Sequence, residues 1–280
     1  MLVSNMCKIF SVVAVMQIGE VVGVIPRASQ TTFQHLSVDA TRAAAWLSYT
    51  SHMPLPSQAY LDKNAALAVA AFEALPGAGT VSQKMFLEYV LPYGNFDENV
   101  DDWRETFSQK LRPLVQNAHT LKEAAEIVVP KVFTDLGTQV EFKSNCTPAI
   151  MAPVSETLKE GHASCTGLSI LVVDALRSVG IPSRVVGTAE WNRPDGGNHN
   201  WVEVWTGETW EFFDAAPMST VQWNSAWFIE VAKKAAPGIH GIYTHVWDAS
   251  SADATYTITW RDPHLSLPAL DRTAFYVQLP

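Results

Sequence analysis

The amino-acid sequence predicts an α+β fold, a helical first half followed by a helix that leads into an antiparallel sheet. Three observations carry this. Over residues 38–132 apolar residues recur at long, helix-like spacing, and strand-like alternation is absent. After Gly137 the texture changes to short strand-like runs. Within that second half lies the stretch 165–179, where Leu168, Leu171, Val172, Ala175, Leu176 and Val179 fall at intervals of three and four and make a single apolar stripe.

Bulk composition narrows the functions open to the chain. With 280 residues, 48% of them apolar and 17% charged, it can bury one large core or two modest ones and reads as globular. The net charge is -9, the isoelectric point is near 5.3, and there is no Lys/Arg-rich run to neutralise a phosphate backbone. Nucleic acid is therefore not an expected partner. Cys7, Cys146 and Cys165 form no CxxC pair, so they build neither a disulfide framework nor a four-cysteine zinc site. At least one thiol is left for chemistry, and no cofactor or metal is expected.

Element by element, Lys8 precedes an apolar stretch over residues 9–18, followed by Glu20 and Ile25-Pro26-Arg27-Ala28-Ser29. Residues 1–30 thus fit a secretory signal, whose apolar part spans roughly 7 to 15 residues. That predicts a secreted or periplasmic protein. A hydrophobic first helix or strand of the folded body is the alternative, and would leave the protein cytoplasmic. Gln17 and Glu20 interrupt the stretch too early for a stable membrane span of about 20 residues.

Residues 31–136 are predicted as a helical region. The Ala-rich stretch 64–74 is its clearest helix, and Thr80 with Gln83 and Thr120 with Glu123 read as capping boxes. Pro54, Pro56, the Pro76-Gly77 turn and Pro92 punctuate it. Residues 137–280 then read as the functional core with C-terminal strands. Its expected elements are a strand at 139–142, a loop at 145–155 and the helix at 165–179, stopped by Gly180 and Pro182. Strands follow at 183–187, 199–205 and 210–214, with later β-like stretches at 241–247, 255–260 and 273–279.

A thiol is a useful nucleophile only as a thiolate, and the unpaired N–H groups at a helix N-terminus favour that form. Cys165 sits at the predicted start of a helix, after the small residues of Gly161-His162-Ala163-Ser164. His199 opens a strand in which it shares one face with Trp201, Glu203 and Trp205. A tight turn at Thr206-Gly207 would pair Trp205 with Glu208, and so place Glu203 opposite Trp210, Trp201 opposite Phe212 and His199 opposite Asp214. A bulge or longer loop would shift that pairing. Directly opposed, the imidazole and the carboxylate could hydrogen-bond, with Asp214 orienting His199 and His199 activating Cys165.

In residue type, order and spacing, four segments resemble the core of the transglutaminase-like superfamily. They are Gly161-His-Ala-Ser-Cys165-Thr-Gly-Leu-Ser169, Gly180-Ile-Pro-Ser-Arg-Val-Val-Gly187, Gly197-Asn-His199-Asn-Trp-Val-Glu-Val-Trp205 and Phe213-Asp214. The resemblance implies a papain-related fold, with a helix N-terminus carrying Cys165 packed on an antiparallel sheet. It also implies Cys165 as nucleophile, His199 as general base and acid, and Asp214 as orienter. Residues 86–93 and 101–104 are similar to the N-terminal region of some secreted or surface bacterial members. Animal transglutaminases place Gly-Gln before and Trp after the nucleophile, where this chain has Ala163-Ser164 and Thr166. The paired CxxC zinc sites of peptide N-glycanases are absent.

Around this triad Ser164, Asn198 and Trp201 are the expected substrate contacts. The aromatic band of Trp201, Trp205, Trp210 and Phe212 can serve as sheet core or as groove wall. Developing oxyanion charge needs donors: the Cys165 amide supplies one, and the resemblance adds an upstream side chain, with Asn145 a candidate. His162 is a rival base or a substrate contact, and the loop 193–197 is a lid or a turn. His240 and His245, five apart on a strand, would point to opposite faces, which speaks against shared metal ligation. Together these features predict acyl transfer on amide or peptide carbonyls through a thioester, with a protein or peptide as substrate. Hydrolysis and transamidation share the first half-reaction. A lapsed binding or scaffold module is the alternative.

Overall fold

In a computed structural model, which describes residues 39–280, five helices come first. Asp39 caps α1, Ala40–Thr50, by accepting from the Thr41 amide at 2.8 Å. Ser57 caps α2, Gln58–Ala74, and Ser82 caps α3, Gln83–Tyr89. After α4, Trp103–Val115, Thr120 caps α5, Leu121–Val132, while Glu123 Oε2 accepts from the His119 amide at 2.8 Å. The Thr120 half of that box is thus present, with Glu123 reaching one residue further back than the cap, and the box at Thr80 is absent. Thr80 ends a 3-10 turn, Ala78–Thr80, and sends its hydroxyl back to the Gly77 carbonyl at 2.9 Å, so capping falls to Ser82. The expected leader at 1–30, and Cys7 within it, lie outside the described residues.

The second half begins with β1, Glu141–Phe142, which pairs in parallel with β2, His162–Ala163. A π-helical turn, Pro153–Leu158, lies between them. Helix α6, Cys165–Ser178, follows, and Gly180 ends it with φ of 91°, where a Cβ would also press on the Phe72 backbone. The remaining elements are β3, Ser183–Thr188; β4, His199–Trp205; β5, Trp210–Phe213; α7, Ile229–Ala232; β6, Tyr243–His245; β7, Ala254–Thr257; β8, Ser266–Asp271; and α8, Thr273–Val277. The strands form one sheet in the order β5-β4-β3-β6-β8-β7, every neighbouring pair antiparallel. The fold is α+β, with a helical region ahead of an antiparallel sheet. Among the described residues no helix is long and apolar enough to cross a membrane.

Three expectations need correction. Residues 273–277 are helical, although their β-branched and aromatic residues read as a strand. There the Asp271 carboxylate accepts from the Thr273 amide at 2.7 Å, and Tyr276 is turned fully inward. The strand at this end is β8 instead, hidden in the sequence by Pro268, which lies one residue past the last pairing with β6, His245↔Ala269, where a missing N–H costs little. The β4–β5 register also differs. Trp205 pairs with Trp210, because Thr206–Thr209 makes a four-residue loop closed by the Thr206 amide on the Thr209 carbonyl at 3.1 Å.

Helix α6 holds the molecule together. A single apolar stripe was expected, yet every residue from Thr166 to Ser178 is buried, including Ser169, Asp174, Arg177 and Ser178. Helices α4 and α5 cover one side of it, and β3 and β4 the other. Each aliphatic side chain fully buried in this way contributes about 1.5 to 3 kcal/mol. One apolar cluster consequently runs from Ala43 through Leu168 and Val202 to Ala269, across both halves of the sequence. A second cluster, with Val186, Trp191, Trp201, Phe212, Phe228 and Tyr276, fills the far face of the sheet.

Candidate active site

Cys165 is the first residue of α6 and His199 the first of β4, so both stand where the helix meets the sheet. Ser164 fixes that helix start. Its hydroxyl oxygen accepts from the Gly167 amide at 3.4 Å and its proton goes to the Ala149 carbonyl at 3.0 Å, tying the loop after β1 to the helix start that carries Cys165. The intrahelical bonds begin with Leu168 donating to the Ser164 carbonyl, so the amides of Cys165 and Thr166 precede them. This is the polarity that favours an anion at the Cys165 sulfur.

His199 Nε2 lies 2.9 Å from Asp214 Oδ1. The two are diagonal rather than opposite: with the observed register, Trp201 is the β4 residue facing the position of Asp214, just past the end of β5. A slip of two residues keeps every side chain on its own face, which is why the pair still meets. The second carboxylate oxygen, Oδ2, accepts from Trp227 Nε1 at 2.7 Å. With Nε2 committed to Asp214, the ring nitrogen left for Cys165 is Nδ1.

Burial pushes the Cys165 thiol up. The hydrogen bond and charge of His199, the Asn200 backbone N–H and the Thr166 hydroxyl together outweigh it, so the thiol sits below its ordinary value. For His199 burial acts against the charged form. Hydrogen bonds to Asp214 and Cys165, and the charges of both, prevail and lift the imidazole to about 9. Both shifts act in the direction of thiolate and imidazolium.

The pair opens into a cleft of about 880 Å³, walled by Asn145, Cys146, Ser164, Thr166, Asn198 and Trp227 among others. Asn198 and Ser164 thus line the cleft, although the Ser164 hydroxyl is already committed to the fold. Trp201 does not line it. The alternation of β4 puts its ring in the far-face cluster, fully buried, with Nε1 donating to Tyr276 Oη at 2.6 Å. Phe212 is buried in the same cluster, and Trp210 packs against Tyr89 and under the Arg184 guanidinium, 3.8 Å from the ring centre. The aromatic band is packing.

The cleft's aromatic walls are Trp227, Trp191, Trp260 and Phe142, which sequence patterning missed because all four lie in loops or at the margin of a two-residue strand. Trp227 is 61% exposed, and its ring centre is 5.0 Å from that of His199. His162 pairs with Glu141 in the small sheet, away from Cys165's partners. The loop 193–197 is a turn closed by the Trp191 amide on the Gly197 carbonyl at 2.7 Å, and it presents Arg193 to the cleft. His240 Nδ1 meets the Glu190 carbonyl at 3.2 Å, while His245 is buried against His52 with ring centres 4.3 Å apart.

Residues 108–215 match the family profile described as the transglutaminase-like superfamily. Over that stretch, under half of its length, the chain is similar to a transglutaminase-like core. The matched stretch contains Cys165 and His199 and ends one residue past Asp214. Among solved structures, a Cytophaga hutchinsonii protein provisionally named a cysteine protease is similar over 43% of this chain and 41% of its own, at 15% identity and a TM-score of 0.32. No curated protein matches the chain.

Proposed function

We propose that the transglutaminase-like core is a cysteine-dependent acyl-transfer enzyme acting on amide or peptide carbonyls of a protein or peptide substrate. The observation that supports this is the His199 imidazole held between the Cys165 thiol, at a helix N-terminus, and the Asp214 carboxylate, all three walls of one cleft. The Cys165 thiolate attacks the carbonyl carbon, and the oxyanion forms beside the amide of Cys165. The imidazolium gives its Nδ1 proton to the leaving amine, which departs as a thioester forms. His199, now neutral, takes a proton from water or from a second amine, whose attack breaks the C–S bond and restores the thiolate.

The cleft is open beside Cys165, which gives water access to a thioester there and supports hydrolysis ahead of transamidation. The apolar stretch 9–18 supports export.

A peptide-library incubation comparing wild type with Cys165→Ala, read by mass spectrometry for ammonia loss, cross-links or cleavage, tests the enzyme. Products from wild type alone are expected. Identical patterns from both would leave a lapsed binding module as the better account.

A further inference from the structure

Behind the nucleophile, on the side away from His199, three fully buried polar side chains form a line that the triad does not use. Tyr256 Oη on β7 donates to Asn200 Oδ1 on β4 at 2.8 Å, and Asn200 Nδ2 donates to Thr166 Oγ1 on α6 at 2.8 Å. Asn200 faces α6 because it alternates with His199 along β4. Its amide could in principle be turned round, and the hydrogen bonds decide. In the reversed sense Thr166 would donate to Asn200 and Asn200 to Tyr256, leaving the buried phenol proton with no acceptor, since Tyr256 Oη has no other partner among the described residues. In the observed sense the phenol proton has its acceptor, and Thr166 Oγ1 accepts from Asn200, which leaves the Thr166 proton free for its neighbour Cys165, whose thiol the Thr166 hydroxyl helps to lower.

We propose that Tyr256 and Asn200 are positioning residues which aim the Thr166 hydroxyl at the Cys165 sulfur, making Thr166 a second side-chain donor to the thiolate beside His199. This rests on the acyl-transfer reading of the same site and deepens it. Gly187 supplies an independent observation. It pairs with Asn200 across β3 and β4, and a Cβ there would collide with Asn200 Oδ1, the His199 carbonyl and the Tyr256 hydroxyl. A bare backbone is what leaves room for the line. Burial, with the charge of Cys165, also holds the Tyr256 phenol well above its ordinary value, so it stays a donor.

The test is the pH dependence of Cys165 alkylation by iodoacetamide in the full chain, followed on the Cys165 peptide by mass spectrometry. Hydrogen bonds to charged groups shift such an equilibrium by about one pH unit. Thr166→Val, which keeps the shape and loses the hydroxyl, should move the thiol limb up by about that much, and Thr166→Ser should restore it. Tyr256→Phe should move it in the same direction by less, because the reversed amide then strands no phenol proton. An unmoved limb in Thr166→Val overturns the proposal, and if that variant does not fold, an unmoved limb in Tyr256→Phe does so. A wild-type limb at the ordinary value of about 8.5 would sink the acyl-transfer reading itself. A depressed wild-type limb indifferent to Thr166 and Tyr256 would sink only the line.

Discussion

Asp214 has both carboxylate oxygens occupied, one by His199 and one by Trp227, and each bond makes its own prediction. Asp214→Asn removes the charge that helps lift His199 to about 9, so the imidazolium should be lost at lower pH by about one unit or more, as followed by NMR titration of the ring. Trp227→Phe keeps the ring and deletes the N–H. One neutral-to-charged hydrogen bond in a partly exposed place predicts a loss of about 3- to 10-fold in kcat with KM little changed. Trp227→Ala should raise KM as well, because an exposed wall of the cleft goes with it. Cys165 and His199 were legible in the sequence because each begins an element, Cys165 a helix and His199 a strand. Asp214 was legible only in part: strand parity gave its face, while its place along β4 depended on loop length. Trp201 shows the limit of alternation, which says that a residue shares a face with His199 but not what covers that face. Trp227 left no periodic trace, being a loop residue.

The elements meet through a few crowded or fully bonded points, and these set what substitutions cost. Gly187→Ala should lower stability by about 1 to 3 kcal/mol, measured by urea unfolding, because β3, β4 and β7 cannot all yield. Arg104 on α4 is buried, and its guanidinium donates to Asn64 Oδ1 at 2.7 Å, to the Arg177 carbonyl of α6 at 2.9 Å and to the Val90 and Pro92 carbonyls at 2.9 and 2.8 Å. Arg104→Ala leaves those acceptors unpaired in the interior and should cost about 3 to 5 kcal/mol in the same measurement. Such ties explain which elements could be read from sequence. Helix α6 was recognisable from its stripe and stop signal, but its complete burial was not, since Asp174 and Arg177 look like a solvated face until partners from other helices are known. The strand β8 and the helix α8 were exchanged because both are short, and tertiary pairing outweighs propensity over five or six residues.

For the whole molecule, the buried carboxyls give a pH dependence of stability. Burial raises Asp174 to about 8 against the pull of Arg177 and Arg104, and raises Glu98 well above its ordinary value, Asp174's charge adding to the effect. An acid whose folded value is raised stabilises the fold fully below its unfolded value of about 4, and that contribution is lost as pH rises through about 8. The urea midpoint should therefore fall between pH 5 and pH 9, and Asp174→Asn should remove most of the fall below pH 8. A midpoint that rises over this range in wild type would contradict the assignment.

Beneath His199, Glu203 on the same strand accepts from Arg184 at 2.8 Å, from Arg272 at 3.0 Å and from Tyr276 at 2.9 Å, and Tyr276 also receives the Trp201 indole. The strand that presents the imidazole is thus underpinned by residues some seventy positions further along the chain. On a ribosome, where a polypeptide emerges in order, the helices and Cys165 are exposed long before Arg272 and Tyr276 exist. A nascent chain halted before Arg272 lacks two of the donors to Glu203, so the strand that carries His199 gains its full support only after Cys165 and the helices have emerged, a built-in delay between synthesis and a finished site.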